Sequence, residues 1–313
     1  MRASTTLAFA LVVAPALAQA DPKPAPELFA PGVISSPAND GSPAFTPDGN
    51  TLLFTRSAAT WSAILESHRV NGAWTAPVLA SFSGEWPDSS PAIAPDGSFA
   101  VFVSIHKDGA PGHPASVANL YRVDRTKTGW SAPAKLPDTV NIGPAIWKPS
   151  VAADGTIYFV SIDLEGHKRL YAAKHAAGAS AYEPAQPLPF SDGAHGDVDP
   201  EIAPDQSFLV FCSSGRLAGD AKDHLFIVRR TAAGGWGDVQ PIRYAGDDTG
   251  GFSTDDEPHL SPDRRTLYFS SDRAPAVAFP RTHEQALRDV ARLQAWDNSN
   301  SNVWFVPLAP WLS

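Results

Sequence analysis

A single cysteine, Cys212, occurs in 313 residues, so no intrachain disulfide can form and stability must come from a buried core. That cysteine lies inside the strand-like run FLVFCSS and reads as a small buried hydrophobe rather than a reactive thiol. Long apolar runs are equally scarce. The stretch Leu7 to Leu17 is too short to cross a bilayer and no later one is longer, so no membrane span is expected. Positive charge is in deficit: a net charge of −9 argues against binding a phosphate backbone, hence against a nucleic-acid partner, and favours a cation or a metal as any ionic ligand. Charge blocks and low-complexity tracts are missing, which argues against disorder.

Signatures of catalysis are also missing. The chain has no G-x-S-x-G elbow, no Gly-rich phosphate loop and no EF-hand loop, and the pair His283-Glu284 lacks the second histidine of an H-E-x-x-H zinc site. The segment Gly129 to Pro133 (GWSAP) lacks the preceding Ser-x-Asp-x-Gly of a sialidase Asp-box.

Thirty prolines and 23 glycines are present, and most fall into a pattern. Five times the chain repeats a Pro, an apolar residue two positions on, a turn of Pro-Asp-Gly type, and a run of aromatic and β-branched residues. The copies are SPAFTPDGNTLLFT (42–55), SPAIAPDGSFAVFVS (90–104), KPSVAADGTIYFVS (148–161), DPEIAPDQSFLVFCS (199–213) and EPHLSPDRRTLYFSS (257–271). Their turn positions, Pro47, Pro95, Ala153, Pro204 and Pro262, are 48, 58, 51 and 58 residues apart. A second register, Trp74, Trp130, Tyr182 and Trp236, recurs at 56, 52 and 54 residues. Two interleaved registers of one length imply a repeated multi-strand unit, and a period of this size with several short strands predicts an all-β β-propeller.

Ahead of the repeats, Arg2, the apolar stretch and Ala18-Gln19-Ala20 have the organisation of a secretory signal peptide over 1–20, cleaved after Ala20. No cysteine follows to carry a lipid anchor. The expectation is a periplasmic or secreted protein whose residues 21–313 form one propeller domain, a monomer.

Each unit divides into four strands, counted outward from the axis: an inner strand before the Pro-Asp-Gly turn, a second strand after it, a third strand, and a fourth following the periodic aromatic. The fifth unit ends after its third strand, while LFAPGVIS (28–35) reads as a fourth strand running into the first inner strand. Pairing the two chain ends would close a five-bladed ring and remove its exposed edge. A six-bladed ring is the alternative count. The last unit carries a long insertion in which Thr282-x-x-Gln285 has capping-box spacing and Leu287, Val290, Ala291 and Gln294 follow with helical period as far as Trp296. This predicts one helix of about four turns, packing Leu287 and Val290 on the propeller or forming a lid.

The motif S-P-x-[apolar]-[S/A]-P-D-G-x-x-[L/I]-x-F-x-S, seen in all five units and ending in SPDRRTLYFSSDR (261–273), resembles the propeller repeats of the exported TolB-like proteins of bacteria, although TolB's own N-terminal α/β domain has no counterpart here. The resemblance covers nearly all of 21–313. It implies a propeller acting without catalysis as a ligand- or protein-binding module of the cell envelope, with an envelope protein, a peptide or a carbohydrate as partner.

Equivalent positions separate scaffold from site. Three residues before the repeat Pro stand Asp40, Asp88, Ile146, Asp197 and Asp255, a repeat property that reads first as a turn cap. The residue before the Pro is Ser42, Ser90, Lys148, Asp199 or Glu257, and the one after it is Ala44, Ala92, Ser150, Glu201 or His259. Charged and imidazole groups beside the axis are costly unless they face water, one another or a ligand. Asp197, Asp199 and Glu201 alternate, and Glu257 and His259 do the same on the next unit, so extended strands would converge them on the axis. They are candidate ligands for a divalent cation such as calcium, or candidate acid and base for a hydrolase or lyase acting on carbohydrate or peptide. Glu85, Trp86, Asp88, Trp147 and Lys148 offer a stacking platform with charges, and His195, His106 and His113 lie on nearby loops. The site is expected on the face that collects the long connections between second and third strands.

Overall fold

The computed structural model describes residues 23–106, 117–176, 181–245, 253–273, 279–292, 295 and 298–312. The signal-peptide segment, His113 and Trp296 lie outside them. About half of the described residues lie in strands, with one α-helix, and no described helix is long and apolar enough to cross a membrane.

The inner strands are Asn39–Phe45, Asp88–Ile93, Ala145–Val151, Gly196–Ile202 and Asp255–Leu260. Each pairs antiparallel with the strand that follows its turn, which pairs in turn with a third strand. Fourth strands are only two residues long: Val78–Leu79, Ala134–Lys135, Gln186–Pro187 and Gln240–Pro241. The last unit takes its fourth strand from the other end of the chain, where Glu27 stands opposite Phe305 and Leu28 opposite Trp304. Inner strands touch in cyclic order, the fifth returning to the first.

The two-residue period of the strands explains how adjacent units adhere. In Phe208–Ser214, Phe208, Val210 and Cys212 face the core shared with the fifth unit, while Leu209 and Phe211 face the core shared with the third. Both faces of the strand are buried, so it reads as a continuous apolar run. Five such cores lie between neighbouring units, and the fifth, around Ile34, Phe54 and Val303, joins the two ends of the chain. The periodic aromatics serve these cores: Trp130 and Tyr182 are buried in them, and Trp74 and Trp236 pack against them from the edge.

The capping box is formed, with the Thr282 amide donating to Gln285 Oε1 at 2.7 Å and the Gln285 amide to Thr282 Oγ1 at 3.2 Å. Among the described residues the helix runs His283–Arg292, and Gln294 of the expected helix lies outside them. Leu287 and Val290 are 57 % and 61 % exposed, so they do not pack on the propeller as expected. Their apolar face is turned to solvent.

Candidate functional site

A backbone irregularity at the repeat Pro builds the site. In every unit the ladder between inner and second strand slips around the residue before the Pro, between 41 and 44, 89 and 92, 147 and 150, 198 and 201, and 256 and 259. Those residues, Ser42, Ser90, Lys148, Asp199 and Glu257, have φ of 47°, 50°, 43°, 54° and 47°. Left-handed φ in a non-glycine residue is strained by about 1–2 kcal/mol, and here it recurs as a β-bulge at every turn of the ring. The bulge sets alternation aside. Asp197, Asp199 and Glu201 do not point to one side, as extended geometry would require, but take three separate roles.

Asp197 is held by side chains of its own unit. Its carboxylate accepts from Ser213 Oγ at 2.6 Å and pairs with both Nε and Nη2 of Arg216, at 2.7 and 2.6 Å. Asp40 pairs with Arg56 at 2.6 Å, and Asp255 with Arg273 at 2.7 Å and with the Tyr244 hydroxyl. Asp88 accepts from Ser104 Oγ, Ser83 Oγ and the Gly84 amide. In the third unit, which lacks this aspartate, the equivalent Ile146 is buried in the core.

Lys148, Asp199 and Glu257 occupy the bulges of three consecutive units, beside Ser42 and Ser90, whose hydroxyls lie 3.5 Å apart. Asp199 Oδ2 accepts from the Glu257 amide at 3.2 Å, and Glu257 Oε2 accepts from Ser270 Oγ at 2.7 Å while lying over Gly41 of the first unit. The Lys148 ammonium is 1 % exposed and has no hydrogen-bond partner in the protein. A small part of Asp199 reaches solvent, yet its carboxyl is enclosed. Burial, reinforced by the Glu257 charge and opposed by Lys148, pushes its pKa up to about 7. Burial and the charges of Glu257 and Asp199 likewise push Asp256 well above the usual carboxylate range.

A folded-state pKa above the unfolded value of 3.8 means that the folded chain holds this proton more tightly. Its stabilising contribution is complete below about pH 4 and lost as pH rises toward 7. Asp199→Asn, which keeps the acceptor for the Glu257 amide, is therefore expected to stabilise at pH 8 by on the order of 2 kcal/mol, with the gain shrinking as pH falls and gone below about pH 4. Paired thermal melts across that range check this, and an equal gain at both pH values would contradict it.

The third role is that of Glu201. Together with Ser150 and His259 it lines a cavity of about 410 Å³. Ser150 Oγ donates to Glu201 Oε2 at 2.8 Å and accepts from the Ile202 amide at 3.0 Å, and Glu201 Oε1 accepts from the Leu260 amide at 2.9 Å. His259 Nδ1 stands 3.3 Å from the same Oε1, close enough for an ion pair but too poorly aligned for a hydrogen bond. Burial would raise the Glu201 pKa, but the imidazole, Lys148 and the Leu260 amide outweigh it and hold the group below its usual value. Glu201 and His259 are 4 % and 8 % exposed.

The cavity opens among the Pro-Asp-Gly turns. Pro47, Pro95, Ala153, Pro204 and Pro262 all line it, so it lies on the face opposite the one expected from loop length. Adjacent turns are tied together there: Gln206 Nε2 donates to Asp154 at 2.8 Å, Tyr158 OH to Gln206 Oε1 at 2.7 Å, and Arg264 pairs with Asp205 at 2.5 Å. Of the predicted site residues, Glu201 and His259 line this cavity, and Lys148, Asp199 and Glu257 stand one step along their strands from it. The others are elsewhere. Trp147 packs against two cores, Glu85 is exposed, and Trp86 and His195 are half-buried on connections between units. The backbone of His106 ends a second strand. Phe45, Asp205 and Arg264 were not singled out in the sequence, although one turn per unit meeting at the axis was the signal that placed them.

Donor atoms of Asp197, Asp199, Glu201, Glu257 and His259 do not converge as a metal shell. Among the described residues, one set of three or more His, Cys, Asp or Glu donors lies within 4.8 Å: Asp163, Glu165 and His167, exposed on a hairpin tip. Burial and nearby carboxylates push the Cys212 thiol up, which leaves it inert as expected.

No protein-family model matches the chain, and no curated protein does. Solved structures do match. A protein of unknown function from Dyadobacter fermentans superposes with a TM-score of 0.55 at 14 % identity, over 80 % of this chain and 80 % of that one. BT0996, solved as an RGII complex, gives 0.50 at 12 % identity, over 91 % of this chain and 91 % of that one. TolB from Acinetobacter baumannii gives 0.46 at 14 % identity, over 86 % of this chain and 55 % of that one, so the chain spans about half of that protein's length. Likeness at these identities is one of fold: the chain is a nearly all-β propeller.

Proposed function

We propose that this chain is an exported, five-bladed, TolB-like propeller that binds a small ligand without catalysis, in the cavity ringed by its five Pro-Asp-Gly turns. Five blades is our reading of the five antiparallel units and the cyclic contact of their inner strands. Export to the periplasm or medium rests on the signal-peptide pattern of residues 1–20. The observation that carries the binding reading is the chemistry of the cavity: a buried carboxylate and imidazole on one side and apolar turns on the other, at a volume suited to a small molecule. The Ser150 hydroxyl gives its proton to Glu201 rather than to His259, so the geometry of an activated serine is missing.

The test is a thermal-shift screen of residues 21–313 against sugars, amino acids, and alkyl amines and acids. Ala153→Trp fills the mouth from an exposed position. A ligand at a hundredfold excess over its Kd is expected to stabilise by about 2.7 kcal/mol, or roughly 4–5 °C at this size. Ala153→Trp is expected to remove the shift. A shift that survives the tryptophan would place binding elsewhere and refute the reading.

The Glu201–His259 contact favours a second reading, a hydrolase or lyase in which the imidazole oriented by Glu201 serves as general base. On that reading Glu201→Gln abolishes turnover while the fold persists. A screen that finds no turnover with carbohydrate or peptide substrates removes it.

A further inference from the structure

We infer that the ligand of the turn-face cavity is a small primary amine, bound as its ammonium with its hydrocarbon body against the apolar side of the collar. The inference rests on the binding reading above and adds the charge and shape of the ligand. It starts from the mismatch between the two sides of the cavity. On one side Glu201, Ser150 and His259 stand together, and on the other Phe45, Ile93 and the turn prolines offer only hydrocarbon. A molecule that satisfies both has one polar head and an apolar body.

The sign of the head follows from the groups that surround it. Glu201 is the buried ion at the cavity wall, held in its charged form. Its two oxygens accept from Ser150 Oγ and the Leu260 amide, which leaves lone pairs, since a carboxylate can accept about four hydrogen bonds. His259 turns Nδ1 toward Glu201 without completing a hydrogen bond, and that buried nitrogen has no other partner. The open lone pairs of Glu201 are therefore the acceptors that the polar wall offers. At pH 8, above the Asp199 pKa of about 7, Asp199 and Glu257 stand behind it, so three carboxylates face at most two cations, Lys148 and His259. At the rim, the charge of Arg264 is already matched by Asp205 at 2.5 Å. A carboxylate ligand would add a negative charge to an enclosure already in negative excess. A neutral alcohol would leave that excess unmatched, and an ammonium both matches it and supplies donors to the open acceptors.

The experiment compares three molecules of one shape and different charge, n-hexylamine, n-hexanol and n-hexanoate, by calorimetric titration at pH 8 and low salt. Hexylamine is expected to bind at least tenfold more tightly than either of the others. Its affinity is expected to fall at least tenfold in Glu201→Gln, with circular dichroism confirming the fold, and to weaken with added salt while that of hexanol does not. The salt series carries the test if Glu201→Gln fails to fold. Tighter binding of hexanoate, or equal binding of all three, would overturn the amine assignment. It would leave the binding reading in place provided that Ala153→Trp abolishes the binding seen. Absence of binding by all three overturns the amine assignment. If the wider screen is also silent, the binding reading falls with it.

Discussion

Asp197→Ala is expected to cost about 3–5 kcal/mol, the loss typical of removing one partner from a buried ion pair. At this chain length that lowers Tm by roughly 5–8 °C. The carboxylate is buried, takes both Nε and Nη2 of Arg216, and also accepts from Ser213. Its removal strands a guanidinium whose remaining bond is to the Phe190 carbonyl at 2.8 Å. The loss therefore comes from the uncompensated cation more than from the missing attraction. Arg216→Met in the same chain is expected to recover at least half of it, because the orphaned charge disappears and the methionine can pack on Phe211, which the guanidinium now covers. Single and double variants followed by denaturant melts decide the matter. A loss below 1 kcal/mol, or a double variant no better than Asp197→Ala, would contradict a structural role. Binding separates Asp197 from Glu201: at a temperature where Asp197→Ala remains folded, its ligand affinity is expected to match that of the parent chain, because the carboxylate is turned toward its own second strand.

The repeat made the architecture readable because each unit restates the same local chemistry. An inner strand ends in a Pro-Asp-Gly turn, the turn opens a strand buried on both faces, and a periodic aromatic covers the next core. The capping role of the aspartate three residues before the Pro was readable for Asp40 and Asp88, which accept from the Ser36 and Gly84 amides, whereas Asp197 and Asp255 hold an arginine instead and Ile146 is buried opposite Ser161. What the residues conceal is the bulge. Ser, Lys, Asp and Glu have no intrinsic preference for φ near 50°, and a residue preceding proline is ordinarily extended. The ring imposes the conformation, and with it the separation of Asp197, Asp199 and Glu201 into three environments. The cavity lies on the face opposite the long connections for a related reason. Long connections lie on one face, but the five short turns approach the axis on the other, and enclosure by Phe45, Ile93 and the prolines depends on packing that no single unit encodes. Lys148 is hard to read from the sequence, since its buried ammonium offsets nearby carboxylates by charge without completing a hydrogen bond. It takes that position through the register of its bulge.

Phe29→Ala is expected to lower stability by about 2–4 kcal/mol, toward the lower part of the range for truncating a core phenylalanine because the ring is only partly buried. Phe29 sits where the ring closes. Its amide donates to the Val303 carbonyl at 2.8 Å, continuing the short ladder of Glu27 and Leu28 with the last unit. Its side chain meets Tyr268 and Phe305 of the last unit edge-on at 5.1 and 6.3 Å, and Phe45 and Trp74 of the first, both at 6.0 Å. One aromatic thus joins two units that are farthest apart in sequence. In a repeat architecture, stability is approximately a sum of unit terms and nearest-neighbour interfaces. Four of the interfaces here join units consecutive in the chain, and the fifth alone must bring the ends together against loop-closure entropy. Weakening that interface opens the ring locally before the remaining cores yield. Phe29→Ala is therefore expected to expose residues 23–35 to protease well below Tm. A truncation of the same kind within an ordinary interface, Phe82→Ala, is expected to lower Tm without that early cleavage. Limited proteolysis followed by mass spectrometry, run beside thermal melts, measures both effects. Cleavage of the two variants at the same temperature and the same bonds would show that closure is no weaker than the other four interfaces.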